Sequence, residues 1–443
     1  MLEKLFGLRA QGTTVKREVV AGCTTFLTLS YIIFVQPVML SDVGMDRGAV
    51  MVATCLSSAG ATFLMAFLAN YPVALAPAMG INAYFVYDVC LNPAIGLPWQ
   101  EALGIVFLSG LLFMLLSFVG LREAIMNTLP VSLHHAIAVG IGVFITFIGL
   151  RMSGMITGHP VTFVTLGNFE SAPVLLSVFG MFVTLALMAK NVRGAMLIGI
   201  LATAALSLLL GLVTYQGTVA MPPPLAPTFF ALRLPNIFAR QELIPVLFVF
   251  FAQDMFDSIG TLTATGHKGE LLEDGKLSKA RQALLSDAAG SAGGALLGTS
   301  TVTCYIESIS GIAAGGRTGL TGIVTGCLML LSLFFYPLVR IVGAGYLAEG
   351  NITLYPIIAP ALIIVGCLML KELVHINWED MTEAIPGALT VVITPLAFSI
   401  THGIAFGFIS IAFMKLVTRR RKELHPLIYF FAVLFIARYI GIA

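Results

Sequence analysis

Long apolar stretches separated by short polar segments run along the whole chain. A helix that crosses a bilayer needs about 20 mostly apolar residues, and stretches close to that length recur throughout the 443 residues. They predict fourteen membrane spans, numbered 1 to 14 in chain order, at 19–40, 50–69, 73–90, 102–120, 131–150, 173–189, 194–214, 242–265, 282–298, 300–315, 318–341, 354–371, 384–400 and 403–417. A further apolar stretch, 426–442, either spans the membrane or lies at its interface.

A polar stripe interrupts the apolar stretch of span 8. Asp254 and Asp257 are three positions apart, which places them on roughly one face of a helix, and Ser258, Thr261 and Thr265 extend that face. Ionisable side chains inside a membrane are costly and mark a functional site by default. The stripe therefore predicts a site in the interior of the protein.

The spans form two halves of seven, separated by the long loop 214–242. An odd number of spans per half inverts the second half relative to the first, a layout typical of transporters with broken helices at the bilayer midplane. The third span of each half is irregular: span 3 reads YPVALAPAMGINAYF and span 10 reads GTSTVTCYIESISGIAAGG. Irregular backbone at membrane depth must be buried or line a cavity, so we expect spans 3 and 10 to meet at the site.

Composition supports a polytopic membrane protein, because 58% of the residues are hydrophobic and 10% are charged, against about 25% charged in soluble domains. The basic residues are scattered among short loops, which argues against a nucleic-acid partner. The loops that hold most of the Lys and Arg, including Arg419–Lys422, fall on one side of the membrane when the N-terminus is placed in the cytoplasm. The six cysteines lack CxxC spacing, and we expect free thiols.

Five further residues with acidic or imidazole side chains lie within the spans. Glu307 in span 10 is predicted to be functional together with the two aspartates of span 8. Asp287 in span 9 has a functional interpretation and a structural one, as a cap or a tether. Asp88 and the pair His134 and His135 are expected to be interfacial.

These residues allow more than one type of ligand. Asn82 in span 3 either caps a half-helix or binds a polar ligand. Carboxylates without matching cations in the spans bind cations, accept protons or accept bonds from N–H donors. A small flat ring with N–H donors would suit such a site, and four aromatic residues are candidates to stack on it: Tyr84, Phe85, Phe256 and Tyr305.

Three separated segments, ALAPAMGINAYF, QDMFDSIGTLTATG and TSTVTCYIESISGIAAGGRTGLT, resemble the signature segments of the AzgA-like purine permeases, a branch of the nucleobase-cation symporter-2 family. The resemblance covers nearly the whole chain. It implies an all-α polytopic membrane protein with fourteen spans in two inverted repeats, as in uracil permeases, and short strands in spans 3 and 10.

The resemblance also implies a division into domains. A core domain would comprise 1–120 and 242–345, with spans 1 to 4 and 8 to 11. A gate domain would comprise 121–241 and 346–418, with spans 5 to 7 and 12 to 14. The remaining 419–443 would be a basic cytoplasmic segment with an extra helix.

Residue by residue, the family's purine-binding positions match Gly80, Asn82, Asp254, Asp257 and Glu307. We add Phe85 and Tyr305 as candidates for substrate contact, and the three acids as candidates for proton coupling. Which of Asp254 and Asp257 contacts the base is left open. Gln36 departs from the family pattern, which has Asn before Pro in many relatives, and is expected to affect packing or kinetics more than purine choice.

The expected function is import of purine nucleobases across a bacterial inner membrane by proton symport, hypoxanthine and guanine first and adenine next. The core domain would move against the gate domain in the manner of an elevator. No enzyme activity, cofactor or metal is expected, and a homodimer would form through the gate domain. Two alternatives are an anion transporter of the same architecture and a Mg²⁺-dependent intramembrane prenyltransferase that uses Asp254 and Asp257.

Overall fold

The computed structural model describes all residues except 1, 120–129, 236–239, 241–242, 270, 274–275, 349–352 and 441–443. Helices overlap every apolar stretch that the sequence predicts as a span. The predicted domain boundaries at 120/121 and 241/242, and the end of the stretch 426–442, lie outside the described residues.

Spans 1 to 7 correspond to helices that are continuous except in spans 1 and 3. Span 1 is divided at Ser30 and Tyr31, and span 3 consists of a strand, one short α-helix and a π-helix. The helix bounds are Val15–Leu29 with Ile32–Ser41 (span 1), Arg47–Leu68 (2), Met79–Ala83 with Tyr84–Cys90 (3), Trp99–Val119 (4), Val131–Met152 (5), Ala172–Ala189 (6) and Ala195–Leu209 (7). A short helix, Leu2–Phe6, precedes them.

Spans 8 to 14 also have an irregular third member, span 10, and spans 11 and 12 each contain a 3-10 segment. The helix bounds are Leu243–Gly269 (span 8), Ala280–Leu297 (9), Ser308–Ala313 (10), Gly319–Leu331 with Ser332–Phe335 and Tyr336–Val342 (11), Ala359–Met369 with Leu370–His375 (12), Met381–Leu396 (13) and Ile400–Val417 (14). In the described part of the chain, eight helices are both long enough and apolar enough to cross a membrane, and the shorter apolar helices include those of spans 7 and 13.

Spans 3 and 10 meet through two short strands, β1 (Leu75–Pro77) and β2 (Val302–Cys304). The strands pair antiparallel, with Leu75 opposite Cys304 and Pro77 opposite Val302. A short helix follows each strand, so both spans are half extended and half helical. The predicted strands in the two broken spans are therefore confirmed.

Three further two-stranded sheets lie in connecting segments. They are the hairpins Ile156–His159 with Phe163–Leu166, Leu272–Glu273 with Lys276–Leu277, and Tyr346–Leu347 with Thr353–Leu354.

The helices pack in two groups. In the first group, span 2 packs against spans 9 and 11, span 4 against spans 8 and 9, and span 11 against span 1. In the second group, span 5 packs against spans 12 and 13, span 13 against span 14, and span 6 against span 7. The strands and half-helices of spans 3 and 10 lie among helices of the first group.

The predicted boundary between spans 13 and 14 is wrong by several residues. The sequence assigns 384–400 to span 13, but that helix runs from Met381 to Leu396. Asp380 accepts a bond from the amide of Thr382 and starts the helix earlier, and Phe398 has a φ of +49°, which no regular helix contains. Ser399 then caps span 14.

The last apolar stretch forms the helix Pro426–Tyr439, which packs against span 14. Phe431 of this helix stacks on Phe248 of span 8, with ring centroids 3.7 Å apart. It also makes an edge contact with Phe408 of span 14. The C-terminal helix therefore touches both helix groups.

Candidate functional site

The first part of the site is a layer of buried polar groups around β2, which we call the strand layer: Asp254, Ser258, Asp287 and Ser291. Asp287 accepts bonds from the Oγ of Ser258 (2.6 Å) and from the backbone N–H of Cys304 (2.9 Å). Its carboxylate thus holds span 8 and β2 to span 9. A buried carboxyl group is tolerated where hydrogen-bond donors of this kind satisfy its oxygens.

Asp254 belongs to the same layer. Its Oδ2 accepts a bond from the Oγ of Ser291 (2.9 Å), and that serine sits 2.9 Å from the carbonyl of Val302 in β2. The other carboxylate oxygen, Oδ1, is buried and has no hydrogen-bond partner among the described residues. Asp254 therefore faces the packed side of span 8.

Asp257 lies in different surroundings, because its side chain is exposed. Further along the same helix, Gly260, Thr263, His267 and Lys268 are exposed as well, at helical spacing. Charged and polar side chains in a row avoid hydrocarbon. We interpret the exposed stripe as one wall of a cleft that opens at the Lys268 end of span 8.

Glu307 lies at the break of span 10, which packs against span 8, and it is half-buried. The hydroxyl of Tyr31, at the division of span 1, donates to its Oε1 (3.0 Å), and the Oγ of Ser310 lies 2.5 Å from its backbone carbonyl. Asp257 and Glu307 are close enough for their charges to interact. The charge of Lys371, at the end of span 12, also reaches Glu307.

Gly80 lies at a close approach between the two helix groups. A Cβ at this position would lie 2.8 Å from the Cγ2 of Ile141 in span 5 and 3.1 Å from the Nε2 of Gln253 in span 8. Gln253 is half-buried, one helical turn from Asp257, and its Oε1 has no partner among the described residues. We call Gln253, Asp257 and Glu307 the cleft face.

Asn82 does not belong to the cleft face. Its side chain is completely buried, its amide nitrogen donates to Oε1 of Gln36, and its oxygen accepts from the Oγ of Ser300. Gln36 also donates to the Oγ1 of Thr299 (3.0 Å). The network joins span 1, span 3 and the start of span 10, so Asn82 holds the broken spans together.

Comparison with known proteins places the chain in a family. Residues 16–410 match the model Xan_ur_permease, described as a permease family. The chain belongs to this family. Adenine permease AdeP of Escherichia coli is 44% identical over 443 residues, covering 100% of the permease described here and 96% of AdeP. Guanine/hypoxanthine permease PbuG of Bacillus subtilis is also 44% identical, with 99% of both chains covered.

Among solved structures, the transmembrane domain of the cyanobacterial bicarbonate transporter BicA aligns with a TM-score of 0.62 at 14% identity, covering 88% of the permease and 97% of that domain. This likeness shows the fold. The family membership confirms the resemblance found in the sequence and shows that the protein is a multi-pass membrane transporter, not an enzyme. The prenyltransferase alternative is therefore wrong.

The aromatic candidates occupy different places in the permease. Tyr84 and Phe85 are completely buried within the hydrophobic core, and that packing accounts for them without a ligand. Tyr305 donates from its hydroxyl to the carbonyl of Pro77 (2.6 Å) and so ties span 10 to β1. Phe256 is half-buried and packs 4.8 Å from the ring of His134 in span 5. Phe256 alone among the four candidates sits beside Asp257 in the chain.

Two residues expected at the membrane interface, Asp88 and His135, make specific contacts within the protein. Asp88 is completely buried, because the start of span 14 packs over it. His135 is half-buried and lies 2.9 Å from a carboxylate oxygen of Glu372 in span 12, with the ring of His375 4.9 Å away. These contacts depend on tertiary packing that position within a span does not reveal.

The sequence analysis did not predict the roles of Gln36, Gln253 and Tyr31 at the site. Gln36 appears only as a departure from the family pattern, yet it bonds directly to Asn82. Gln253 is the first residue of the segment QDMFDSIG, and its position four residues before Asp257 is a signal for a shared helix face. Tyr31 carries no local signal, because its bond to Glu307 crosses most of the chain.

Proposed function

We propose that the permease transports purine nucleobases across the cytoplasmic membrane of a bacterium, with its N-terminus in the cytoplasm. The relatives named as adenine and guanine/hypoxanthine permeases match it over almost their whole length. The structural support for the proposal comes from the cleft face. Three side chains rich in acceptors, Gln253, Asp257 and Glu307, border an open cleft, and a base with ring and exocyclic N–H groups supplies the donors they need.

Hypoxanthine and guanine are the substrates that the cleft face favours. A carboxylate accepts the ring N–H at position 1 of an oxopurine, and guanine adds an exocyclic amine on the same edge, whereas neutral adenine has no hydrogen at that ring nitrogen. A site built for these donors discriminates against a ligand that leaves its acceptors unpaired. The named relatives do not rank the bases, because the adenine and the guanine/hypoxanthine permease are equally identical to the chain.

Within this proposal, Glu307 accepts N–H bonds from the base while Tyr31 holds its carboxylate, and Asp257 exchanges the coupled proton with cleft water. Asp254 is assigned to the scaffold, since Ser291 and β2 enclose it. Gly80 leaves room for the flat base between spans 3 and 5, where any side chain would intrude.

Movement of one helix group against the other would carry the base across the membrane. The first helix group holds the broken spans and therefore the site, and it corresponds to the core domain expected from the sequence. The second group corresponds to the gate domain, through which a homodimer would form. In this proposal the chain has fourteen spans, and the segments before span 1 and after span 14 both lie in the cytoplasm.

An anion substrate suits the site less well. BicA shares the fold at only 14% identity, and a bicarbonate transporter binds a negatively charged ligand. The cleft face of the permease contains two carboxylates, Asp257 and Glu307, whose charges oppose an anion. A neutral base with N–H donors avoids that repulsion.

Uptake of radiolabelled hypoxanthine into cells that express the permease tests the proposal. We expect saturable uptake that collapses with the proton gradient and falls by roughly tenfold or more in Glu307→Gln, since hydrogen bonds to charged groups contribute about 1.5–3 kcal/mol. Glu379→Gln is the matched control, because Glu379 is an exposed acid on the loop before span 13.

Asp257→Asn is also expected to reduce net uptake of hypoxanthine, but for a different reason. Asp257→Asn should keep exchange of labelled for unlabelled base while losing accumulation, because exchange requires no net proton movement. Uptake that survives both Glu307→Gln and collapse of the proton gradient contradicts the mechanism. Uptake of bicarbonate and none of any base contradicts the substrate class.

A further inference from the structure

Asp88 is a buried carboxylate that the proposed transport mechanism does not use. It lies in the π-helix Tyr84–Cys90 of span 3, and its side chain is completely inaccessible to solvent. A lone buried charge is expensive unless it is paired or fully hydrogen-bonded. The hydrogen-bond donors that surround Asp88 therefore indicate its role.

Three of those donors belong to the start of span 14. The Oγ of Ser399 donates to Oδ1 of Asp88 (2.7 Å), and the backbone N–H and the Oγ1 of Thr401 donate to Oδ2 (2.7 and 2.8 Å). A fourth donor, the amide of Asn92, comes from the loop after span 3 (3.1 Å). The carboxylate thus sits on the N-terminus of an 18-residue helix, where the helix dipole also favours a negative charge.

The contact crosses the boundary between the two helix groups. Span 3 lies in the first group and span 14 in the second, and the aromatic rings beside Asp88 close the same boundary. Phe398, immediately before the cap residue Ser399, packs 5.9 Å from Tyr87 of span 3 and 5.0 Å from Phe144 of span 5. Its left-handed backbone (φ +49°) is unfavourable for a phenylalanine and is held by these rings.

This closed contact coexists with the open cleft. Asp257 is exposed along the stripe that leads to Lys268, whereas Asp88 is sealed at the opposite end of the group boundary. A transporter with one site must open at one end while it closes at the other. The bonds of Asp88 to span 14 are thus made in the conformation that is open at the Lys268 end.

We propose that Asp88 is a latch residue: its carboxylate holds the N-terminus of span 14 against span 3 while the cleft is open to the cytoplasm, and its release opens the route to the outer side. Water replaces Ser399 and Thr401 as donors after release, so the ion is never left without partners. The inference rests on the transport function proposed above, and it makes Asp88 a positioning residue that sets the balance between two conformations.

Accessibility of a cysteine placed between the groups tests the latch. Ile141 is buried against Gly80 on the boundary between the helix groups, and an Ile141→Cys substitution would meet outside reagent only when the outer route opens. We expect Asp88→Asn to speed labelling of that cysteine by a membrane-impermeant maleimide, applied to intact cells, by roughly tenfold. That factor corresponds to losing about one hydrogen bond to a charged group. The same variants without the Ile141→Cys substitution give the background labelling rate.

Two variants separate a latch from a general loss of structure. Thr401→Val removes one donor from span 14 and should speed labelling in the same direction by a smaller factor. Asn92→Ala removes the donor that lies on the same side of the boundary as Asp88, and it should leave the labelling rate unchanged. Size-exclusion profiles of the purified variants verify folding, and Thr401→Val carries the test if Asp88→Asn does not fold.

A folded Asp88→Asn protein that labels at the wild-type rate overturns the latch, and so does an equal effect of Asn92→Ala. Hypoxanthine binding to the purified protein is measured separately. Normal binding with an unchanged labelling rate refutes the latch and leaves the proposed function intact, whereas faster labelling without binding of any base refutes the substrate and retains the latch.

Discussion

Asp254 and Asp257 are three residues apart on one helix and lie in opposite surroundings. Asp254 belongs to the strand layer, where Ser291 and β2 enclose it, and Asp287 beside it bonds to span 8 and to β2. Asp257 belongs to the cleft face, where its carboxylate is exposed and interacts with the charge of Glu307. The difference separates two functions of intramembrane acids: one pair builds the site, and the other is free to bind and to exchange protons.

The largest effect on stability is expected at Asp287, in the strand layer. In Asp287→Asn, an amide replaces an oxygen that accepts from Ser258 or Cys304, and one buried donor loses its partner. We expect a loss of about 1–3 kcal/mol of stability, with a lower melting temperature in detergent and less folded protein in the membrane. Thermal unfolding monitored by size exclusion measures it.

Asp257→Asn is the matched comparison for Asp287→Asn, since both replace an acid of the same site by its amide. The Asp257 variant should melt with the wild type, because no hydrogen bond of the described structure is lost. Equal melting temperatures for the two variants would show that the strand layer does not depend on its carboxylates.

A smaller effect is expected at Gly80, on the boundary of the cleft face. Gly80→Ala places a methyl group within 2.8 Å of Ile141 and 3.1 Å of Gln253. Crowding of this kind is unfavourable. Because Ile141 lies on the opposite helix group, we expect a higher apparent KM for hypoxanthine and a fall in melting temperature smaller than that of Asp287→Asn. Ala83→Gly, a change in the same short helix away from the cleft, is the control. An unchanged KM would place the substrate elsewhere.

The smallest effect is expected outside both regions, at the ion pairs that follow span 14. Arg420 lies 2.6 Å from Asp380 and 2.6 Å from Glu423. Hydrogen bonds from the hydroxyl and the amide of Thr382, and then from Arg420, hold the pKa of Asp380 below its ordinary value. Hydrogen bonds from Arg420 and Lys415 lower the pKa of Glu423 to about 2. Because these pKa values are depressed, the stabilisation is present above the ordinary carboxyl pKa and is lost as the pH falls toward 2.

Arg420→Gln should therefore leave uptake at pH 7 nearly unchanged and lower the melting temperature slightly, since exposed ion pairs contribute little. The difference from the wild type should shrink between pH 4.5 and about 2. A loss of uptake as large as that of Asp257→Asn would mean that any removed charge impairs the permease, which would remove the distinction between the cleft face and the rest of the protein.

Much of this architecture could be predicted from local sequence. Apolar stretches of bilayer length located the helices, and the irregular sequences of spans 3 and 10 indicated the breaks that contain β1 and β2. The signals are local because a bilayer imposes length and hydrophobicity on each span separately.

The roles of individual polar residues could not be predicted in the same way. Asp254 and Asp257 share a face at the resolution of a helical wheel, yet only the packing of span 9 decides which one is enclosed. Gln36 and Asp88 each bond to residues from distant parts of the chain. Hydrogen-bond partners of this kind are set by tertiary packing, which periodicity does not encode.

The pairing of β1 with β2 has a consequence for how the protein is made. During synthesis β1 enters the membrane long before β2, because six predicted spans lie between them. Until β2 arrives, the peptide groups of β1 lack their permanent partner in a medium where unpaired backbone groups are costly. We therefore expect the first half, expressed alone, to be held by chaperones or degraded, and co-expression of the second half as a separate chain to rescue it.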